Sequence, residues 1–221
     1  MSSKLTDPLT EPKVFTDMKK WLVACLAGLM SLTAHAAIQP GTDYTPLAAP
    51  QAVANKNRVE VIEFFSYGCG HCFKLEPASE AWAKNKPADV DFRREQIVWD
   101  KRMDGLARLF AAIQASGQSG KLHHAAFIAV QQERLDLRDP KIVQDWVARQ
   151  GVDAARFMQV YNSFSVAQAP ARATQLTRAY RVEGTPMLVV GGKYAVTPAA
   201  PERMMQVVGE LVDKVRAEQK K

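Results

Sequence analysis

One stretch of this chain leaves few folds open to it: Val59 to Phe73, which reads V-E-V-I-E-F-F-S-Y-G-C-G-H-C-F. Val59, Val61, Ile62, Phe64 and Phe65 form a β-branched and aromatic run that is apolar on both faces, as suits a strand buried in mid-sheet. Ser66, Tyr67 and Gly68 end it. From Phe73 to Lys84 the residues Leu75, Ala78, Ala81 and Trp82 recur at helical spacing, so Cys69 and Cys72 sit at a strand-to-helix junction. The first turn of a helix has unpaired N–H groups and the positive end of the macrodipole, and both favour a thiolate. A Cys-x-x-Cys in that position is a redox site on physical grounds. Cys69, at the helix start, is the expected reactive sulfur. Cys72, one turn deeper, should be more buried and have the higher pKa. A purely structural disulfide is a poor alternative, because so small a ring removes little entropy from the unfolded chain. His71 lies between the sulfurs, placed to stabilise a thiolate. Glu63 is a carboxylate inside an apolar strand. If buried its pKa should rise, whereas an edge strand would leave it in water.

The chain has 221 residues, enough for one large domain or two small ones. Its net charge of +6 is modest and its basic residues are scattered, which argues against nucleic acid as a partner. Three cysteines are too few for a disulfide scaffold. Residues 18–36 carry a basic start (Lys19, Lys20), an apolar run from Trp21 to Leu32 and an Ala34-His35-Ala36 cleavage signature. The run is too short for an ordinary membrane span. A secretory signal peptide cut after Ala36 is expected, and with it export from the cytoplasm. A retained N-terminal anchor is the alternative. Residues 1–17, with Pro8 and Pro12, have no place in such a signal and read as a disordered or non-native extension. Cleavage removes Cys25 and leaves Cys69 and Cys72 alone in the mature chain.

Downstream, Asp43 to Leu47 is a short extended candidate, and Pro77 interrupts the helix after Cys72. Val90 to Val98 has strand composition and lies one strand–helix unit after the first strand, which makes a parallel, right-handed β-α-β crossover. From Met103 to Tyr180 strand signal almost vanishes. Helices are expected over Met103 to Ala115, after Ser119, after the Asp139-Pro140 cap as far as Gly151, after Asp153, and over Ser165 to Arg181 with a kink at Pro170. Strands return at Met187 to Val190 and Lys193 to Val196, around a Gly191-Gly192 hairpin signal. A last amphipathic helix carries Met204, Met205, Val208, Leu211, Val212 and Val215. The order is β-α-β, a helical block, then α-β-β-α. This is an α/β chain with the outer order of a thioredoxin fold and an all-helical insertion: residues 37–100 and 182–221 form the thioredoxin-like domain, residues 101–181 the insertion.

Glu63-Phe64-Phe65-Ser66, Cys69-x-His71-Cys72, the helical insertion, Gly184-Thr185-Pro186 and Gly192-Lys193-Tyr194 together resemble the DsbA-like thiol:disulfide oxidoreductases of the bacterial periplasm, over essentially the whole mature region. The chain departs from the best-known members at Gly70, where they have proline, and at Thr185, where many have valine. Both positions bear on oxidant strength. The resemblance implies an enzyme that donates its Cys69–Cys72 disulfide to newly exported proteins with free thiols, needs no cofactor beyond that pair, acts as a monomer and is reoxidised by a DsbB-like, quinone-linked membrane oxidase. It implies a cis peptide at Thr185-Pro186, where extended substrate would pair. It also implies a proton-accepting Glu63 near Cys72, paired with Arg94 of the neighbouring strand.

Other classes fit less well. A zinc module could call on Cys69, Cys72, His123 and His124, but the histidines are adjacent rather than spaced as in structural sites, and are expected on the surface. A c-type haem site needs Cys-x-x-Cys-His, and Phe73 follows Cys72. A chaperone-like module would work without Cys69. Within the redox class, a disulfide isomerase or reductase is the runner-up.

Overall fold

The computed structural model describes residues 37–220. The expected extension and signal peptide lie outside the described residues. Five strands form one mixed sheet in the order β1-β5-β4-β2-β3: β1 (Tyr44–Pro46), β2 (Val59–Phe65), β3 (Val90–Gln96), β4 (Met187–Val190) and β5 (Tyr194–Val196). The β2–β3 pair is parallel, as a crossover through helix α1 (Gly70–Asn85) requires, and the other pairings are antiparallel.

All seven residues of β2 are buried, which is why its run is apolar on both faces. Val59 and Val61 pack with Leu75 of α1 and with Met204, Val208, Leu211 and Val215 of the closing helix α8 (Pro201–Gln219). Ile62 and Phe64 face the other way, onto Val189, Tyr180 and Val182. Phe65 and Tyr67 enter a third cluster, built from the helical block, with Phe110, Phe127, Trp146, Phe157 and Tyr161.

The block comprises α2 (Asp104–Ala115), α3 (Ser119–Gln131), α4 (Pro140–Arg149), α5 (Ala154–Tyr161), α6 (Phe164–Ala167) and α7 (Ala169–Ala179). Asp139 caps α4 by accepting from the Lys141 N–H at 2.8 Å, and Asp153 caps α5 through Arg156 at 3.0 Å. Several boundaries depart from the sequence expectation. Met103 ends a short 3₁₀ turn, Lys101–Met103, instead of opening α2. Ser119 is the first residue of α3, after Gln118, which makes no side-chain cap. The single kinked helix expected over Ser165 to Arg181 is two, and Pro170 stands in the first turn of the second, where its missing N–H costs nothing. Strand β3 stops at Gln96 because the Val98 N–H turns to the Thr177 hydroxyl of α7, at 3.1 Å. The hairpin loop is three residues, not two: Val190 pairs with Tyr194, while Gly191 and Gly192 take φ of 62° and 64°.

Candidate active site

Cys69 ends the Ser66–Gly68 turn and is the N-cap of α1, with extended backbone (φ −97°, ψ 115°). Its N–H donates to the Ser66 carbonyl at 2.9 Å, and its Sγ accepts from the Cys72 N–H at 3.3 Å. Both cysteines are thiols in this structure: Cys69 half-buried, Cys72 fully buried. The Cys69 pKa is lowered to about 5, first by a hydrogen bond from the Cys72 thiol, then by Thr185 and the N–H groups of Cys72 and His71, against the cost of burial. The Cys72 thiol is pushed strongly up, first by that same hydrogen bond and then by burial. His71 acts on the sulfur through its backbone N–H, and its side chain is exposed.

The Thr185-Pro186 peptide is cis, and the Thr185 carbonyl faces the Cys69 thiol at 3.3 Å. A cleft of about 650 Å³ begins there and runs along His71, Leu75, Pro186, Met187 and Met204.

Glu63 is 2% exposed. Arg94 stands beside it in the parallel register and donates Nε–H to its Oε2 at 3.1 Å, while the Ser79 hydroxyl donates to the same oxygen at 2.9 Å. Arg94 also reaches Glu80, at 3.2 Å. Burial raises the Glu63 pKa and outweighs the opposing pull of Arg94.

The turn before Cys69 is held by groups that sequence reasoning missed. The Tyr67 N–H donates to Gln96 Oε1 at 3.0 Å, and the Tyr67 carbonyl accepts from Gln131 Nε2 at 2.6 Å. The Tyr67 hydroxyl meets His123 Nδ1 at 2.9 Å. This corrects the expectation that His123 is a surface residue. It is 6% exposed, caged by Phe65, Phe110 and Phe127, and burial drives its pKa down to about 3, so it is neutral. The signal was present: Ala126, Phe127 and Val130 lie three, four and seven residues after His123, which puts it on the apolar face of α3. Its neighbour His124 is exposed on the next face and meets the buried Glu76 carboxylate at 2.7 Å. Among the described residues no group of three or more His, Cys, Asp or Glu is arranged to hold a metal ion.

A half-buried thiol of depressed pKa at a helix start, with a buried partner one turn on and the carbonyl before a cis-proline facing it, has close counterparts. Residues 80–208 match the family model of the DSBA-like thioredoxin domain, a segment that begins after the cysteine pair. The chain belongs to the DsbA-like thioredoxin family. It is 37% identical over 208 residues to the thiol:disulfide interchange protein DsbA of Burkholderia cepacia, covering 90% of this chain and 98% of that one. The protein of the same name from Pseudomonas syringae pv. tomato is 36% identical over 196 residues, 86% of this chain and 92% of the relative. Among solved structures, the oxidoreductase NmDsbA1 from N. meningitidis superposes with a TM-score of 0.79 at 35% identity, covering 84% of this chain and 98% of that one. Pseudomonas aeruginosa DsbA gives 0.78 at 33%, over 83% and 97%.

Proposed function

We propose that this chain, a thiol:disulfide oxidoreductase by family, works as a disulfide donor for reduced proteins newly exported to the periplasm. The observation that carries this reading is the asymmetry of its two sulfurs: Cys69 is held down to about 5 while Cys72 is pushed up. A substrate thiolate attacks the Cys69 sulfur of the disulfide, the Cys69–Cys72 bond breaks, and Cys72 leaves with the electron pair and takes a proton. Glu63, whose raised pKa suits proton exchange, is the group proposed to give Cys72 that proton and to accept it back when Cys72 becomes a thiolate on reoxidation, with Arg94 and Ser79 holding it in place. The substrate's second thiolate then attacks its own half of the mixed disulfide and expels Cys69, a good leaving group because its thiolate is stable. Two electrons pass to the enzyme and the substrate gains a disulfide. The Thr185 carbonyl faces the reacting sulfur, and the Thr185 backbone, turned by the cis bond to Pro186, would pair with extended substrate.

Return to the disulfide form is proposed to fall to a quinone-linked membrane oxidase of the DsbB kind, and export to the segment 18–36, cut after Ala36. Intact mass of periplasmic material tests the second point. A mature form still carrying Trp21 to Leu32 would refute it. Redox equilibrium of the Cys69–Cys72 pair with glutathione tests the direction of the chemistry. A potential well above thioredoxin's ~−270 mV is expected, and one at or below that value would defeat the donor role.

A further inference from the structure

A second cleft, of about 590 Å³, also opens at Cys69 and Thr185, but it runs toward the helical block along Trp99, Met103, Leu106 and Leu135. Apolar side chains line its depth, and exposed Arg102, Arg134, Arg138, Asp100 and Asp136 stand around it. Two of the arginines are spoken for. Arg102 donates to both oxygens of Asp100, at 3.0 and 2.7 Å, and Arg138 to both oxygens of Asp136, at 2.6 and 2.9 Å. Arg134 has no carboxylate partner among the described residues, so the cleft keeps one uncompensated positive charge. Its backbone lies in the left-handed region, φ 59°, where glycine would be the relaxed choice. The Leu135 N–H, bonded to the Ala129 carbonyl at 2.9 Å, holds the turn. What arginine adds at this position is its side chain at the cleft beside the reactive sulfur.

We propose that this cleft reads the substrate chain beside its reacting cysteine and favours a carboxylate there, with Arg134 as the specificity-determining contact. The proposal rests on the donor reading above. Attack on Cys69 brings the substrate cysteine to the cleft's edge, and a side chain two or three residues along an extended strand is then ~7–10 Å away. Arg134 lines the same cleft as Cys69, so a glutamate on that stretch would meet its guanidinium with the methylenes on the apolar lining. A lysine meets like charge.

The test uses two dithiol peptides that differ only in Glu or Lys two residues before the first cysteine. At low ionic strength the oxidised protein is expected to oxidise the Glu peptide about five-fold faster in kcat/KM, a ratio that falls toward one in ~1 M salt. In Arg134→Asn, which removes the charge and suits a left-handed backbone, the two peptides should react alike. In Arg134→Glu the order should reverse. Equal rates in the unsubstituted protein, or a ratio that survives in Arg134→Asn, would overturn the proposal. A Cys69→Ser/Cys72→Ser protein titrated with the same peptides, serine replacing cysteine, reads the preference without redox chemistry. If the preference holds there while the unsubstituted protein fails to oxidise dithiothreitol, the donor reading falls and the cleft stands. If the preference is absent there, the cleft proposal falls whatever the redox result.

Discussion

Acidification from pH 7 to pH 4 should narrow the stability gap between the reduced and oxidised forms by about 2 kcal/mol. The Cys69 thiol has a pKa of about 5 in the folded reduced protein, against an ordinary value of 9.0. At pH 7 the folded protein therefore holds a thiolate while the unfolded chain holds a thiol. The pKa is depressed, so the stabilisation is complete only above the unfolded value and is lost as pH falls through about 5. At pH 7 it amounts to ~2.7 kcal/mol, two decades at ~1.36 kcal/mol each. Cys69 is only half-buried, and solvent screening brings this to ~2 kcal/mol. At pH 4 both states are protonated and the contribution vanishes. The oxidised form has no such group, so taking the difference between the two forms cancels the carboxylates that titrate in both. Urea unfolding of each form at the two pH values is the assay, and ~2 kcal/mol corresponds to a relative shift in midpoint of about 1 M. The same stabilisation raises the reduction potential by ~40 mV at pH 7. It should also change the pH slope of the potential, from about −60 mV per unit below pH 5 to about −30 above, because only Cys72 takes up a proton there. A gap between the two forms that does not move with pH, or an oxidised form more stable than the reduced one at pH 7, would refute the reasoning.

Glu63→Gln keeps the shape but removes the titrating group. Stopped-flow thiol exchange should slow more near pH 6–7 than above neutrality, and an unchanged pH–rate profile in a folded variant would remove the proton-acceptor role. His123→Leu leaves the buried Tyr67 hydroxyl without its partner, and urea unfolding should show a loss of about 1–3 kcal/mol. Gly192→Ala should cost more than 1 kcal/mol by the same measurement. The added Cβ would lie 2.3 Å from the Gln51 carbonyl oxygen, on a backbone at φ 64° that alanine resists.

What could be read from the sequence was what repeats or punctuates. The strand β2, the cysteines at the start of α1, the Asp139-Pro140 and Asp153 caps and the apolar stripe of α8 each rest on local chemistry, and each stands where expected. The pairing of Glu63 with Arg94 rests on the family resemblance, and the parallel register that sets the two side by side comes from the fold. What stayed hidden depends on contacts between distant segments. Gln96 and Gln131 are common polar residues in sequence, and only the fold brings both to the Tyr67 backbone. The surface expectation for His123 follows from residue type, whereas its spacing to Ala126, Phe127 and Val130 puts it inside, where the structure has it.

The same kind of contact bears on how the insertion serves the site. Phe65 and Tyr67 belong to the strand and turn of the thioredoxin-like part, yet they are buried in the core of the helical block. From Ile38 onward the chain is one compact unit. Tyr67 is two residues from Cys69, so the turn that aims the reactive sulfur is fixed from the helical side through its backbone carbonyl, its ring and its hydroxyl. Loosening α3 should therefore disturb Cys69 even though α3 carries neither cysteine. The helical block thus supplies one wall of the cleft beside Cys69 and also part of the frame that holds the sulfur in place.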